Sequence, residues 1–430
     1  MKKKIIVIGG GISGISAALS AIDSGFDVSI IESSNTFGGR MNSYYDNQTK
    51  DSLDNGQHIM VGAYSAFLDI VKLLGNYNNL YVQEKFEVCY RDKDKITPLK
   101  SKLFNNQIGF LLGLLSFPKF NSSEKLNIIK FVLLIKSNKF INNNDPFLSV
   151  LKKYKQSENS IRILWEPLCL ATLNTSINFA STLVVTNVLK QSFFASGFNS
   201  KIIIPKVGLS DLIKNFENYF TSKGGEVLKN HSLKEVVIID NKIVEIKLTK
   251  EKTLKADYFI SALSLNKFNH FFPNNIMLSN SPIISAYLWY DTDFIKEKFI
   301  AVLDKKIQWI FNKRKLGFVE GAKEFAGYYS IIISDASELI LKSNQEIAEI
   351  ISSEINELFP QKKSLLKYKI IKEKNATILA DTNSIEVKRE YKNNIKNLII
   401  AGDWNDLELP STIETAARSG IKAVKQILKS

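Results

Sequence analysis

The chain has 430 residues, 45% of them hydrophobic, and its 57 Lys and Arg against 43 Asp and Glu leave a net charge of +14. This is a globular composition, long enough for two cores with a cleft between them, and the apolar runs are too short or too interrupted to span a bilayer. Two distant cysteines, Cys89 and Cys169, exclude a disulfide framework and a thiolate metal site, and the scattered lysines lack the arginine stripe of a nucleic-acid binder.

Lys2, Lys3 and Lys4 precede an apolar stretch, Ile5 to Ile22, in the manner of an export leader. Gly9, Gly10, Gly11 and Gly14 interrupt it where a leader is helical, so the segment reads as mature, cytoplasmic protein. Ile5 to Ile8 form a short strand, Gly9-Gly10-Gly11-Ile12-Ser13-Gly14 a turn, and Ile15, Ala18, Leu19 and Ile22 one face of a helix. This is the G-x-G-x-x-G dinucleotide pattern. Gly9 allows the turn, Gly11 lets the backbone approach a diphosphate, and Gly14 lets helix and strand pack closely, while the helix N-terminus, which holds Ser13, faces the anion. A second strand, Phe26 to Ile31, delivers Glu32 to the adenosine ribose hydroxyls. These features leave FAD and NAD both open.

Gly38-Gly39-Arg40 follows as a glycine turn, then Asp54-Asn55-Gly56-Gln57-His58 with Gly62 and Tyr64. Apolar runs from Ile108 to Phe117 and from Leu126 to Ile135 lie among Lys119, Lys125, Lys130 and Lys136. A buried core pair and a greasy mouth resting on a membrane both fit them. Trp165-Glu166-Pro167-Leu168-Cys169-Leu170-Ala171 comes next, followed by a helix ending near Ser222, strands at Leu233 to Ile239 and Lys242 to Leu248, and alternating strands at Ile283 to Tyr290 and Tyr328 to Ile333. Trp165, Trp289, Tyr290 and Trp309 suit either plain core or the wall of a substrate tunnel. At the far end a strand, Leu398 to Ala401, leads into Gly402-Asp403, and Pro410-Ser411-Thr412 into a helix from Ile413 to Leu428. Ile413, Ala417, Gly420, Ile421, Val424 and Leu428 share one of its faces, and Ser411 with Glu414 forms an S-x-x-E capping box.

Gly38-Gly39-Arg40 resembles the G-G-R segment of the amine oxidase and phytoene desaturase superfamily of FAD enzymes. Four inner segments are more specific: the D-N-G-Q-H loop, Trp165 to Ala171, Tyr287 to Asp291 with Gln308-Trp309, and Ala401 to Trp404 running on to Glu414. These resemble the bacterial hydroxysqualene dehydroxylases, also described as squalene-associated FAD-dependent desaturases. The matches fall in order over nearly the whole chain, with Ser411, where alanine is expected, and the lysine-rich loops as departures.

The resemblance implies FAD, with Gly39 and Arg40 at its diphosphate, Gly402 and Asp403 at the ribityl diphosphate, Gly56 beside the flavin, Thr412 and Ile413 at its pyrimidine, and Leu233 bordering the adenine. It implies an α/β fold in which a discontinuous Rossmann-like FAD domain (1–95, 200–265, 385–430) adjoins an α+β substrate domain of antiparallel sheet and helices (96–199, 266–384). Helices near 106–136 would face the inner surface of a membrane. The implied reaction is reductive removal of the allylic hydroxyl of hydroxysqualene to give squalene, with an apolar isoprenoid as partner, an unnamed electron donor, no metal and no nucleic acid. His58, then Asp54, are the candidates for proton donor, with a structural hydrogen bond as the other use for His58. Glu166, Asp406 and Glu408 rank lower, and His231 and His270 stand in ordinary contexts. The rival readings are a carotenoid or phytoene desaturase with the opposite electron flow, an amine oxidase, and a non-catalytic flavin or lipid carrier.

Overall fold

The computed structural model describes residues 2–103, 107–140, 143–192, 195, 197–272, 276–318 and 321–429. β1 (Lys4–Ile8) lies at the centre of a five-stranded sheet, between β2 (Asp27–Ile31) and the strand Tyr258–Ser261. Glu226–Leu228 and Leu398–Ile400 are the edges, and every pairing is parallel. Ile5, Ile6 and Val7 are completely buried. A parallel strand covered on both faces reads as an unbroken apolar run, and each such side chain contributes roughly 1.5–3 kcal/mol relative to exposure.

α1 (Ile12–Asp23) and the C-terminal helix Ile413–Lys429 cross on one face of this sheet, so the two ends of the chain share a core. The crossing is close at Gly420, where a Cβ would collide with the Ser13 carbonyl oxygen. The buried stripe of the C-terminal helix runs through Ala417, Gly420, Val424 and Ile427, while Leu428 is exposed. Its expected face is therefore turned by one position at the end.

A second, seven-stranded sheet has the order Leu365–Ile378, Asn280–Tyr290, Gly327–Ser334, Trp309–Asn312, Phe299–Val302, Glu87–Arg91, Ile96–Lys100. Its pairings are antiparallel except that of Phe299–Val302 with Glu87–Arg91. Residues 87–91 thus belong to this sheet. Val88 and Tyr90 alternate inward onto its core, which fixes that strand there. Along Asn280–Tyr290, Leu288 and Tyr290 pack under the helix Asn344–Leu358, while Tyr287 and Trp289 face the helices of residues 107–191.

The helices Gln107–Ser116 and Ser122–Lys136 are buried on one side and exposed on the other. Leu114, Phe117, Ile128, Phe131, Val132 and Ile135 are buried, whereas Ile108, Leu115, Leu126 and Leu133 are each about half exposed. Among the described residues no helix is long and apolar enough to cross a membrane.

Candidate active site

A cleft of about 1140 Å³ opens at the carboxyl ends of the parallel strands, the usual ligand position in such a sheet. It is lined by Gly9, Gly11, Ser13, Glu32, Gly39, Arg40, Gly56, Leu233, Gly402, Asp403, Thr412 and Ile413, drawn from both ends of the chain and its middle. Gly14 lies beneath it: a Cβ there would collide with the Gly9 carbonyl oxygen and stand 3.3 Å from Ala262 Cβ. Gly9 has φ +109°, and its added Cβ would meet the Ala262 carbonyl oxygen at 2.8 Å. At Gly11 an added Cβ meets no protein atom within 4 Å, so the missing side chain leaves room on the cleft side. No side chain caps α1 and its first turn holds no acid, which leaves its positive end to an anion. These features fit a dinucleotide diphosphate.

Glu32 is held at the end of β2, with Oε2 accepting from the Gly10 N–H at 2.8 Å and Oε1 from the Ser34 N–H at 2.8 Å. Arg40 Nη2 donates to both carboxylate oxygens of Asp403, at 2.6 and 2.7 Å, and Nη1 to the Ala376 carbonyl. Asp403 is buried, and its charge raises the pKa of Arg40 against the cost of burial. The glycine-arginine turn and the Gly402-Asp403 motif, 363 positions apart, are thereby clamped across the cleft.

The loop carrying His58 is anchored by Asp54, which is completely buried and does not line the cleft. Asp54 Oδ1 accepts from the Ser43 hydroxyl at 2.7 Å and the Leu209 N–H at 2.8 Å, and Oδ2 lies 3.6 Å from Lys313 Nζ. Asp54 thereby ties together Ser43, Leu209 and Lys313. Lys313 is itself fully buried, donates to Gln57 Oε1 at 2.7 Å and sits 3.6 Å above the Phe318 ring. Burial lowers its pKa, and Asp54 opposes that. Arg314 beside it holds Asp51, which also accepts from Trp289 Nε1 at 2.8 Å. Nothing local in a lysine-rich chain distinguishes Lys313 or Arg314; only the approach of the second sheet to the hairpin of Ser43–Asp46 and Asp51–Asp54 does.

His58 lines the cleft. Burial lowers its pKa from the ordinary value, Asp54 pulls the other way, and the cations Arg40 and Lys313 lower it further. The imidazolium then forms only below the usual range, so at neutral pH the ring is uncharged. Any activity should accordingly show no pH dependence from His58 between about pH 7 and about pH 9, since burial moves its titration downward, away from that range. A decline across that range that vanishes in His58→Gln would restore His58 as the proton donor.

Next to the cleft is a second, mostly apolar cavity under the helix Gln107–Ser116, walled by Phe86, Val88, Tyr90, Leu99, Phe110, Leu164, Leu168, Val188 and Ile202. Ile59, Tyr64, Ala171, Thr172, Trp309 and Thr412 border both spaces. Gln191, Glu414 and Arg418 add a polar edge. Glu414 does not close a box with Ser411. It accepts from the N–H groups of Ala66 at 3.1 Å and Phe67 at 2.9 Å, capping the helix Ser65–Leu73, while Thr412 Oγ1 caps the C-terminal helix through the Thr415 N–H.

Of the four aromatics considered for a tunnel wall, Trp309 alone borders these two spaces. Trp165 is core, its Nε1 donating to Gln156 Oε1 at 2.9 Å and its ring packed edge-on against Phe131 and Phe147. Trp289 stacks on Tyr328 at 5.0 Å, and Tyr290 lies on the opposite face of the sheet. His231 and His270, set aside from sequence, do border the cleft. The His231 N–H donates to the Glu32 carbonyl at 3.0 Å, a contact that no local pattern announces. Burial pushes the Cys89 thiol up to about 12 and raises that of Cys169, so neither is a ready thiolate.

The family model described as flavin containing amine oxidoreductase matches residues 12–428. A hydroxysqualene dehydroxylase of Zymomonas mobilis is 24% identical over 426 residues, covering 96% of this chain and 96% of that one. A 15-cis-phytoene desaturase of Synechococcus elongatus is 20% identical over 460 residues, covering 99% of this chain and 96% of that one. Among solved structures, a redesigned putrescine oxidase shares the fold, with a TM-score of 0.74 at 13% identity and 100% of both chains covered. With its glycine loop, clamped arginine and matching family model, the chain belongs to the flavin-containing amine oxidoreductase family and is a flavin-dependent oxidoreductase.

Proposed function

We propose that the chain binds FAD in the cleft, takes an isoprenoid into the apolar cavity, and reductively removes the allylic hydroxyl of hydroxysqualene to give squalene. The observation that carries this reading is the join between the two spaces: an apolar chamber that meets the cofactor cleft at six residues. Bound FAD, once reduced, supplies the hydride. The α1 N-terminus and Arg40 hold its diphosphate, Glu32 its ribose, and Leu233 borders its adenine. The N-terminus of the C-terminal helix favours negative charge on the reduced ring at Thr412 and Ile413. The FAD unit comprises residues 1–86, 200–265 and 385–430, and the remainder holds substrate.

The apolar walls repay about 0.8 kcal/mol per buried methylene, which suits a hydrocarbon segment of the substrate in this cavity of about 130 Å³. Such a substrate is scarce in water. The half-exposed Ile108, Leu115, Leu126 and Leu133, with the exposed Lys130 and Lys139, form the face through which it enters from the cytoplasmic surface of an anionic membrane.

The test is to reduce the purified yellow protein without oxygen and add hydroxysqualene. One squalene per flavin is expected by mass, with the flavin returning to its oxidised spectrum. The phytoene desaturase relative supports a second reading with the opposite electron flow. Bleaching of the oxidised protein by phytoene, with no squalene formed from the alcohol, would establish that one instead.

A further inference from the structure

Resting on the dehydroxylation reading, we infer that Tyr64 holds the substrate hydroxyl and gives it the proton with which it leaves as water. In the balanced step the carbon–oxygen bond breaks, and the carbon receives a hydride from the reduced flavin of the proposed reaction. The departing oxygen takes the phenolic proton of Tyr64 to become water. The tyrosinate is then reprotonated from solvent, so that alcohol, anionic reduced flavin and one proton become hydrocarbon, water and oxidised flavin.

A proton inventory at the join of the two spaces leads to this residue. Among the six residues bordering both, Ile59 and Ala171 carry no side-chain proton donor and the Trp309 indole N–H is not acidic. The Thr172 hydroxyl donates to the Leu168 carbonyl at 2.8 Å, within its own helix. The Thr415 hydroxyl donates to the Pro410 carbonyl at 2.7 Å, so in its 2.9 Å contact with Thr412 the donor is Thr412. The Thr412 proton is thereby spent on Thr415, and the Tyr64 hydroxyl lies against the Thr412 side chain. Tyr64 keeps a proton it can swing from Thr412 to an incoming oxygen.

His58 borders the cleft and not the apolar cavity. Arg418 is occupied by Glu414, Gln191 and the Ala63 carbonyl. Burial holds the Tyr64 phenol up at about 12, with Glu414 adding to the rise and Thr412 working against it, so the proton is present at every working pH. An alcohol in an apolar chamber that finds no partner is penalised, which makes this hydroxyl a register mark along the polyene as well as an acid.

The experiment uses the flavin-loaded Tyr64→Phe protein, which keeps the ring and removes the proton. In the oxidised state, where no turnover occurs, flavin fluorescence titrations compare hydroxysqualene with squalene. The alcohol should bind about tenfold more weakly than to wild type, the hydrocarbon equally well. Flavin content and spectrum should be unchanged, and single-turnover formation of squalene should slow by at least about a hundredfold. Equal weakening of both ligands would mark Tyr64 as structural, and unchanged alcohol binding with unchanged turnover would overturn the inference, each with the dehydroxylation reading intact. Failure of the wild-type protein to make squalene would remove that reading and this inference with it.

Discussion

Gly14→Val protein should purify without its yellow colour. The added carbons have nowhere to go, because even a Cβ at this position collides with the Gly9 carbonyl oxygen and presses on Ala262. Relief requires α1 to move away from β1, and α1 carries Gly11 and Ser13 into the cleft. Overpacking alone costs about 1–3 kcal/mol. Misdirected N–H groups at the helix N-terminus add to it, so flavin affinity should fall by more than about a hundredfold. Flavin retained after gel filtration measures the effect, with circular dichroism to show that the rest of the chain is folded. A Gly14→Val protein that retains stoichiometric flavin would refute the packing argument.

Lys313→Met should be the most damaging substitution outside the cofactor loop. It leaves the Asp54 carboxylate completely buried, with Oδ2 facing no cation and already lacking a hydrogen bond. Removing one partner of a buried ion pair typically costs about 3–5 kcal/mol, because the remaining charge cannot return to water. Asp54 also ties the segment at Leu209 to the hairpin beneath His58, so the flavin-side loop should loosen together with the core. Urea denaturation of the flavin-loaded protein measures the loss. Adding Asp54→Asn to Lys313→Met should recover a substantial part of it, since the neutral amide keeps the Oδ1 acceptor and removes the stranded charge. A single-variant loss below about 1 kcal/mol would show that water or another group already compensates Asp54.

Glycine spacing, the alternation of apolar residues and the order of strand, turn and helix were sufficient to place β1, α1, β2, Glu32 and the Gly402-Asp403 turn. Each is a local property: a turn needs its glycines within a few residues, and a buried parallel strand shows its burial in its own composition. The residues that the family resemblance assigns to a cofactor line one cleft, except Gly14, which lies beneath it.

Other assignments depended on which surfaces meet. Trp289 and Tyr290 are neighbours in sequence but enter opposite cores, so a tunnel role for both was excluded by the strand itself once its two faces were covered. Glu414 satisfies the terms of a capping box, yet the nearer unpaired N–H groups belong to the helix at Ser65.

Short-range order thus marked a dinucleotide site and the strands and helices that carry it, because those features are set by backbone conformation over a few residues. The role of Asp54 as an anchor, the buried Lys313 that neutralises it, and the position of Tyr64 between two chambers came only from the packed chain. Charge pairing and cavity walls are through-space relations among segments hundreds of residues apart, and no window along the sequence contains both partners.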